Sequence, residues 1–208
     1  MKSVFFVLSL FITCFSWATQ APTILVLGDS LSAGYGIQIE ESWPALMQNK
    51  IAENGLPHKV HNASISGQTS SEGLRQMDQL LQLTQPQLVI IELGANDGLR
   101  GLSITQMQKN LQSMISKSLR ANAKVLLVGI RVPSNYGRRY GEMFSNSFIK
   151  LAEDNGIALV PFMLAPIESV ITENNRSEYI QRDGLHPTAK AQPLILNHLW
   201  PEIQTLIK

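Results

Sequence analysis

Thr23-Ile24-Leu25-Val26-Leu27-Gly28-Asp29-Ser30-Leu31 runs an apolar segment straight into a glycine, an acid and a hydroxyl. A short, nearly continuous apolar run closed by glycine reads as a β-strand covered on both faces. Runs at residues 59–63, 88–93, 124–130 and 158–162 read the same way, the second and third of these being continuously apolar or nearly so. Between them, residues 43–53, 72–83, 104–120 and 141–155, and a last segment ending near Ile207, space their apolar residues as amphipathic helices do. Strict alternation of strand and helix implies right-handed crossovers. The expected fold is therefore α/β: a three-layer α/β/α sandwich around a central, mostly parallel, five-stranded sheet.

Composition sets the outer bounds. A chain of 208 residues fits one domain that buries about 70% of the surface its unfolded form exposes. Basic and acidic side chains nearly balance, 17 against 16, so nothing in the charge favours nucleic acid or an anionic membrane as partner. No repeat, low-complexity tract or linker divides residues 19–208, which are expected to form a single domain.

The first 18 residues read as a cleavable signal peptide. Lys2 supplies the positive end, residues 4–17 are mostly apolar, and Ser16-Trp17-Ala18 places small residues at the two positions a signal peptidase inspects. An apolar run of about 14 residues falls short of the ~20 needed to span a bilayer. The competing lipoprotein reading would acylate Cys14, but Phe11-Ile12-Thr13 lacks the small residues usual before such a cysteine. A periplasmic or secreted protein is expected, with no stable membrane insertion after processing. Cys14 is the only cysteine, so the mature chain would carry no disulfide, metal thiolate or cysteine nucleophile.

Open parallel sheets bind ligands beyond the carboxyl ends of their strands. The polar blocks of this chain fall there. Gly28-Asp29-Ser30 follows the first strand, Ser66-Gly67-Gln68 the second and Gly94-Ala95-Asn96-Asp97 the third, while Asp183-Gly184-Leu185-His186 precedes the last helix. Each block has a plainer use. Ser30, Asn96 and Asp97 suit helix caps, Gly67 suits a turn, and Asp183 and His186 suit a surface turn in which Pro187 holds the histidine extended. Their convergence on one rim favours a single site. A serine, a histidine and an aspartate are the parts of an acyl-transfer triad.

These blocks, as Gly28-Asp29-Ser30-Leu31-Ser32-Ala33-Gly34-Tyr35-Gly36, Asn62-Ala63-Ser64-Ile65-Ser66-Gly67, Gly94-Ala95-Asn96-Asp97-Gly98 and Asp183-Gly184-Leu185-His186-Pro187, resemble those of the SGNH, or GDSL, hydrolases over essentially the whole mature chain. Asn135-Tyr136-Gly137-Arg138-Arg139-Tyr140 is similar to the bacterial periplasmic thioesterase, lysophospholipase and arylesterase group in particular. The resemblance implies a flavodoxin-like sheet, Ser30 as nucleophile, His186 as base and Asp183 as the group that orients it. It also implies an oxyanion hole made of the Ser30 and Gly67 N–H groups and the Asn96 amide. Val132 and Pro133, in the loop after the fourth strand, would shape acyl-chain preference. Leu99 and Tyr136 are further substrate-binding candidates, with Tyr35, Ile37, Leu102, Phe144, Ile180 and Leu185 in or near the rim. No cofactor is implied.

The pattern departs from the α/β-hydrolases, whose nucleophile lies mid-chain in Gly-x-Ser-x-Gly, because Ser32 stands where the second glycine would be. The expected function is a serine esterase and thioesterase acting on aryl esters, lysophospholipids and acyl-CoA through an acyl-enzyme on Ser30. The substrate would be a small acyl ester or thioester met by a monomer. A carbohydrate O-acetylesterase on the same fold is the alternative, and would want a shallower, more polar site. A metal-dependent phosphoesterase built on Asp29, Asn96, Asp97 and His186 lacks metal-binding histidine spacing. Arg138 and Arg139 are expected in a solvated loop.

Overall fold

The computed structural model describes residues 21–208. The signal peptide expected at residues 1–18, including Cys14, lies outside the described residues.

The chain runs β1 (Thr23–Gly28), α1 (Ser30–Ala33), α2 (Trp43–Glu53), β2 (Lys59–Asn62), α3 (Ser70–Thr84), β3 (Leu88–Glu92), α4 (Ala95–Leu99), α5 (Ile104–Arg120), β4 (Lys124–Val128), α6 (Arg138–Asn155), β5 (Ala158–Val160), α7 (Ala165–Val170), α8 (Arg176–Tyr179) and α9 (Gln192–Ile207). The five strands form one sheet in the order β2-β1-β3-β4-β5. Every pairing is parallel. Helices α2 and α9 pack together on one side of the sheet, and α3, α5 and α6 pack in sequence on the other.

The core sits where those layers meet. Ile24 to Leu27 of β1, all of Leu88 to Ile91 in β3, and Leu126 to Val128 of β4 are fully buried, so the central strands are apolar on both faces. Trp43, Met47 and Ile51 approach from α2, while Ile195, Leu199 and Ile203 do so from α9. Phe144 and Phe148 of α6 meet edge to face at 5.5 Å on the opposite side.

Three sequence boundaries shift for identifiable reasons. β4 and β5 stop at Val128 and Val160, two residues before their apolar runs end. Gly129 N–H still donates to the Val160 carbonyl, but Pro161 has no N–H to continue the ladder, and the Gly129 carbonyl instead accepts from Met163. Helix α6 begins at Arg138, three residues before its apolar periodicity does. Arg138 and Arg139 therefore lie in its exposed first turn and not in a loop, with Arg138 3.7 Å from Glu142 one turn on.

The strand order reverses direction between β1 and β3, because the chain leaves β1 for β2 at one edge and returns to β3 on the other flank. That switch opens a crevice above the carboxyl ends of β1 and β3. Ser30 follows β1 directly, and Asn96 lies in the first helical turn after β3.

Candidate active site

Ser30 is the first residue of α1, and the helix cap is its neighbour. Asp29 accepts the Leu31 N–H through Oδ1 at 3.1 Å, with φ −109° and ψ −145° at the cap. This frees Ser30 from capping duty. As the opening helical residue, its N–H has no intrahelical acceptor and points outward with the helix N-terminus. Gly28, just below, has no room for a side chain, since a Cβ there would lie 2.7 Å from Glu92 Oε2.

The other half of the site comes from the loop between α8 and α9. His186 Nε2 lies 2.7 Å from Ser30 Oγ across 156 residues of sequence. Its Nδ1 lies 2.6 Å from Asp183 Oδ2. An ionised carboxylate can only accept, so Nδ1 carries the proton and Nε2 is left to accept from the serine hydroxyl. Asp183 Oδ1 also accepts the N–H groups of Leu185 and His186, each at 3.0 Å. Burial pulls the Asp183 carboxyl upward, and the Leu185 N–H, the His186 ring and the His186 N–H together outweigh it and hold it at about 2. The loop is fastened by Gln181, whose N–H donates to the His186 carbonyl and whose amide donates to the carbonyls of Tyr35 and Pro187. The Tyr35 ring rests 4.4 Å from the His186 ring.

The donors expected for an oxyanion are gathered on the same side. Gly67 takes φ +82°, a conformation other residues resist, which explains the glycine there. Asn96 directs its amide at Asp29 Oδ2 and at the Gln68 carbonyl, 3.2 and 3.1 Å away. Arg100 donates to the Gly67 carbonyl at 2.8 Å. Asp97 caps nothing in its own helix: it accepts from both Ser70 N–H and Ser70 Oγ, at 2.7 and 2.6 Å, and so ties α4 to the start of α3.

A cavity of about 810 Å³ opens beside Ser30 and His186. Of the rim residues expected from sequence, Tyr35, Leu99, Val132, Pro133, Ile180 and Leu185 line it. Ile37, Leu102, Tyr136 and Phe144 are not in its wall. Tyr136 instead donates its hydroxyl to the Leu99 carbonyl, bracing that wall from outside, and Phe144 is a fully buried core residue. A further part of the wall was not foreseen: Phe162, Leu164, Ile167 and Ile171, carried on and around α7. Its signal was present as Pro166 at the start of a short apolar turn, Ala165-Pro166-Ile167, between the last strand and the last helix.

Glu92 was also unforeseen. It ends β3 opposite Gly28, and its side chain is fully buried beneath the Ser30 turn, 2.7 Å from Ser32 Oγ and 3.4 Å from the Asp29 N–H. Burial, then the adjacent Asp29 charge, push its carboxyl well above the usual range. Burial also lifts Asp29, to about 6, against the hydrogen bonds from Leu31 and Asn96. Asp29 and Asp97 have their carboxylate oxygens engaged by protein donors, and among the described residues no group of three or more His, Cys, Asp or Glu is placed to hold a metal.

An α/β sheet with a serine, histidine and aspartate in hydrogen-bonded series at its switch point has the arrangement that serine-type hydrolases use. The sequence matches the GDSL-like Lipase/Acylhydrolase family over residues 26–193, and the chain belongs to that family. It is 46% identical to an esterase TesA of Pseudomonas aeruginosa, the match covering 90% of each chain. It is 48% identical to an arylesterase of Vibrio mimicus over 91% of this chain and 92% of that one. Thioesterase 1/protease 1/lysophospholipase L1 of Escherichia coli K12 is 42% identical over 91% and 87% respectively. Among solved structures, the psychrotrophic esterase EstA of Pseudoalteromonas sp., inhibited by monoethylphosphonate, superposes with a TM-score of 0.81 at 45% identity, covering 88% of this chain and 97% of that one. The protein is a hydrolase acting on ester bonds.

Proposed function

We propose that Ser30 attacks the carbonyl of carboxylic esters and acyl thioesters, among them aryl esters, lysophospholipids and acyl-CoA, to form an acyl-enzyme. His186 takes the Ser30 proton through Nε2, while Asp183 fixes the ring and stabilises the imidazolium. The imidazolium then protonates the departing alcohol or thiol. Water, activated by the same ring, attacks the acyl-enzyme and returns Ser30. The tetrahedral oxygen is held by the N–H groups of Ser30 and Gly67 and by the Asn96 amide, which gives up its 3.1 Å bond to the neutral Gln68 carbonyl for the anion and keeps its bond to Asp29.

The observation that carries this reading is the unbroken series Asp183, His186, Ser30, at 2.6 and 2.7 Å, opening onto an apolar cavity. Leu99, Ile130, Val132, Phe162 and Ile167 in its wall suit an acyl chain better than the hydroxyl-rich ring of a carbohydrate acetate. Val132 and Pro133 shape the chain-length preference together with the residues on and around α7. The work is done by a monomer in the periplasm or outside the cell, delivered there by the leader expected at residues 1–18.

The test is treatment of the mature protein with a fluorophosphonate, followed by peptide mapping, alongside hydrolysis of p-nitrophenyl esters of graded chain length. A covalent adduct at Ser30 and saturable ester hydrolysis are expected. Turnover without any adduct at Ser30 would overturn the assignment.

A further inference from the structure

Glu92 and Asp29 are two carboxyl groups without solvent exposure, stacked under the turn that carries Ser30. No ion pair among the described residues includes either of them. The charged or titratable groups that act on them are each other, with Asp97 of α4 and His186 facing Asp29 from the other elements. Two adjacent anions cannot both be sustained in such a place, because both are buried and no cationic side chain among the described residues pairs with either. The pair therefore holds one proton.

The hydrogen bonds say where it sits. Both Asp29 oxygens accept from N–H donors, Leu31 on one and Asn96 on the other, which is the environment of an ionised carboxylate. Glu92 differs. Its Oε1 is buried and has no partner among the described residues, and its Oε2 meets one distant N–H and the Ser32 hydroxyl, a group able to serve a neutral acid. A bare carboxylate oxygen in a dry interior is costly, whereas an acid carbonyl oxygen is much less so.

We propose that Glu92 is a neutral carboxylic acid that braces the Ser30 turn from beneath through Ser32 and the Asp29 main chain, leaving the pair's single charge on Asp29 to aim Asn96. Glu92 is then a positioning residue for the reaction, touching no substrate atom. Its hydrogen bonds hold residues 28–32 against β3, and the Asp29 charge it preserves fixes the amide that faces the developing oxyanion. Ionisation of Glu92 would place a second charge beside Asp29, and the turn would have to open to hydrate it.

This inference rests on the reading of Ser30 as nucleophile, and the experiment separates the two. Infrared difference spectroscopy of the wild-type protein at neutral pH should show a buried carboxylic acid C=O band that disappears in Glu92→Gln and persists in Asp29→Asn, whatever the protein hydrolyses. In ester assays Glu92→Ala should lower kcat about tenfold or more with KM held within about twofold, and Glu92→Gln, an uncharged isostere, should recover kcat to within about threefold of wild type. Loss of the band in Asp29→Asn instead, its absence from the wild type, or a Glu92→Gln enzyme as impaired as Glu92→Ala would each overturn the proposal. Should Glu92→Ala fail to fold, the spectra and the Glu92→Gln kinetics still decide. Failure of Ser30 to take a fluorophosphonate would strike the nucleophile assignment and leave the spectral result standing.

Discussion

The two halves of the site are built to different standards. Ser30, Asp29 and Asn96 stand on the ends of β1 and β3, where Gly28 pairs with Glu92 and the side chains below are buried. Asp183 and His186 belong to a loop whose bonds are largely its own, with an exposed Asp183 and Gln181 as the main tie back to Tyr35. The first half cannot change without disturbing the sheet. The second can lose its chemistry and leave the fold intact.

Substitution tests that contrast from the largest effect downward. Ser30→Ala and His186→Ala should each lower kcat by roughly 10⁴- to 10⁶-fold, and His186→Ala should leave the thermal midpoint within a few degrees, read by parallel kinetics and calorimetry. Asp183→Asn keeps the loop's shape but offers Nδ1 the wrong partner, so about a 10⁴-fold loss in kcat is expected with little change in KM. Asn96→Ala should cost roughly 100- to 1000-fold in turnover, the loss of one oxyanion donor. Normal turnover in folded Asn96→Ala would remove that residue from the hole. Gly28→Ala is the converse, destabilising the protein by about 1–3 kcal/mol through the clash with Glu92, as denaturant unfolding would show.

Acid sharpens the same comparison. The folded-state pKa of Asp183 is depressed, so its contribution is present above the ordinary carboxylate range and lost as pH falls from about 4 through about 2. That of Asp29 is raised to about 6, so the stability linked to it is greatest at low pH and declines as pH rises through that value. Replacing Asp29 with Asn should flatten the dependence of the thermal midpoint near pH 6, whereas Asp183→Asn should alter it only at the acid end. Because Asp183 is well exposed, its share is expected to be small.

Much of this was legible from residue patterns. The continuous apolar runs and the helical spacing between them require a sheet covered on both faces, and the polar blocks at the strand ends then mark the rim. What the pattern could not carry were features made by contact between distant segments. Glu92 reads as one acid at the end of an apolar strand, and only its register opposite Gly28 makes it a brace beneath Ser30. The α7 part of the groove was hidden because α7 is a six-residue helix, too short for periodicity to register. Tyr136 was drawn toward the substrate by its position in a rim motif, whereas its hydroxyl is spent on the Leu99 carbonyl. Ser30 looked like a helix cap because it does open a helix, and the geometry hands that task to Asp29.

If Ser30 and His186 act as proposed, their 156-residue separation in sequence also sets when activity can first appear. Ser30 directly follows β1, the first strand among the described residues, and His186 lies in the loop between α8 and α9. A contact of such long range is among the most costly in chain entropy and forms late. Under the proposed mechanism, a nascent chain that has formed β1 is expected to be inert, since Ser30 meets His186 only when the final quarter of the polypeptide has emerged and docked. By the same reading, a truncated product that keeps Ser30 and lacks His186 is expected to have no esterase activity, which an assay of such a fragment would check.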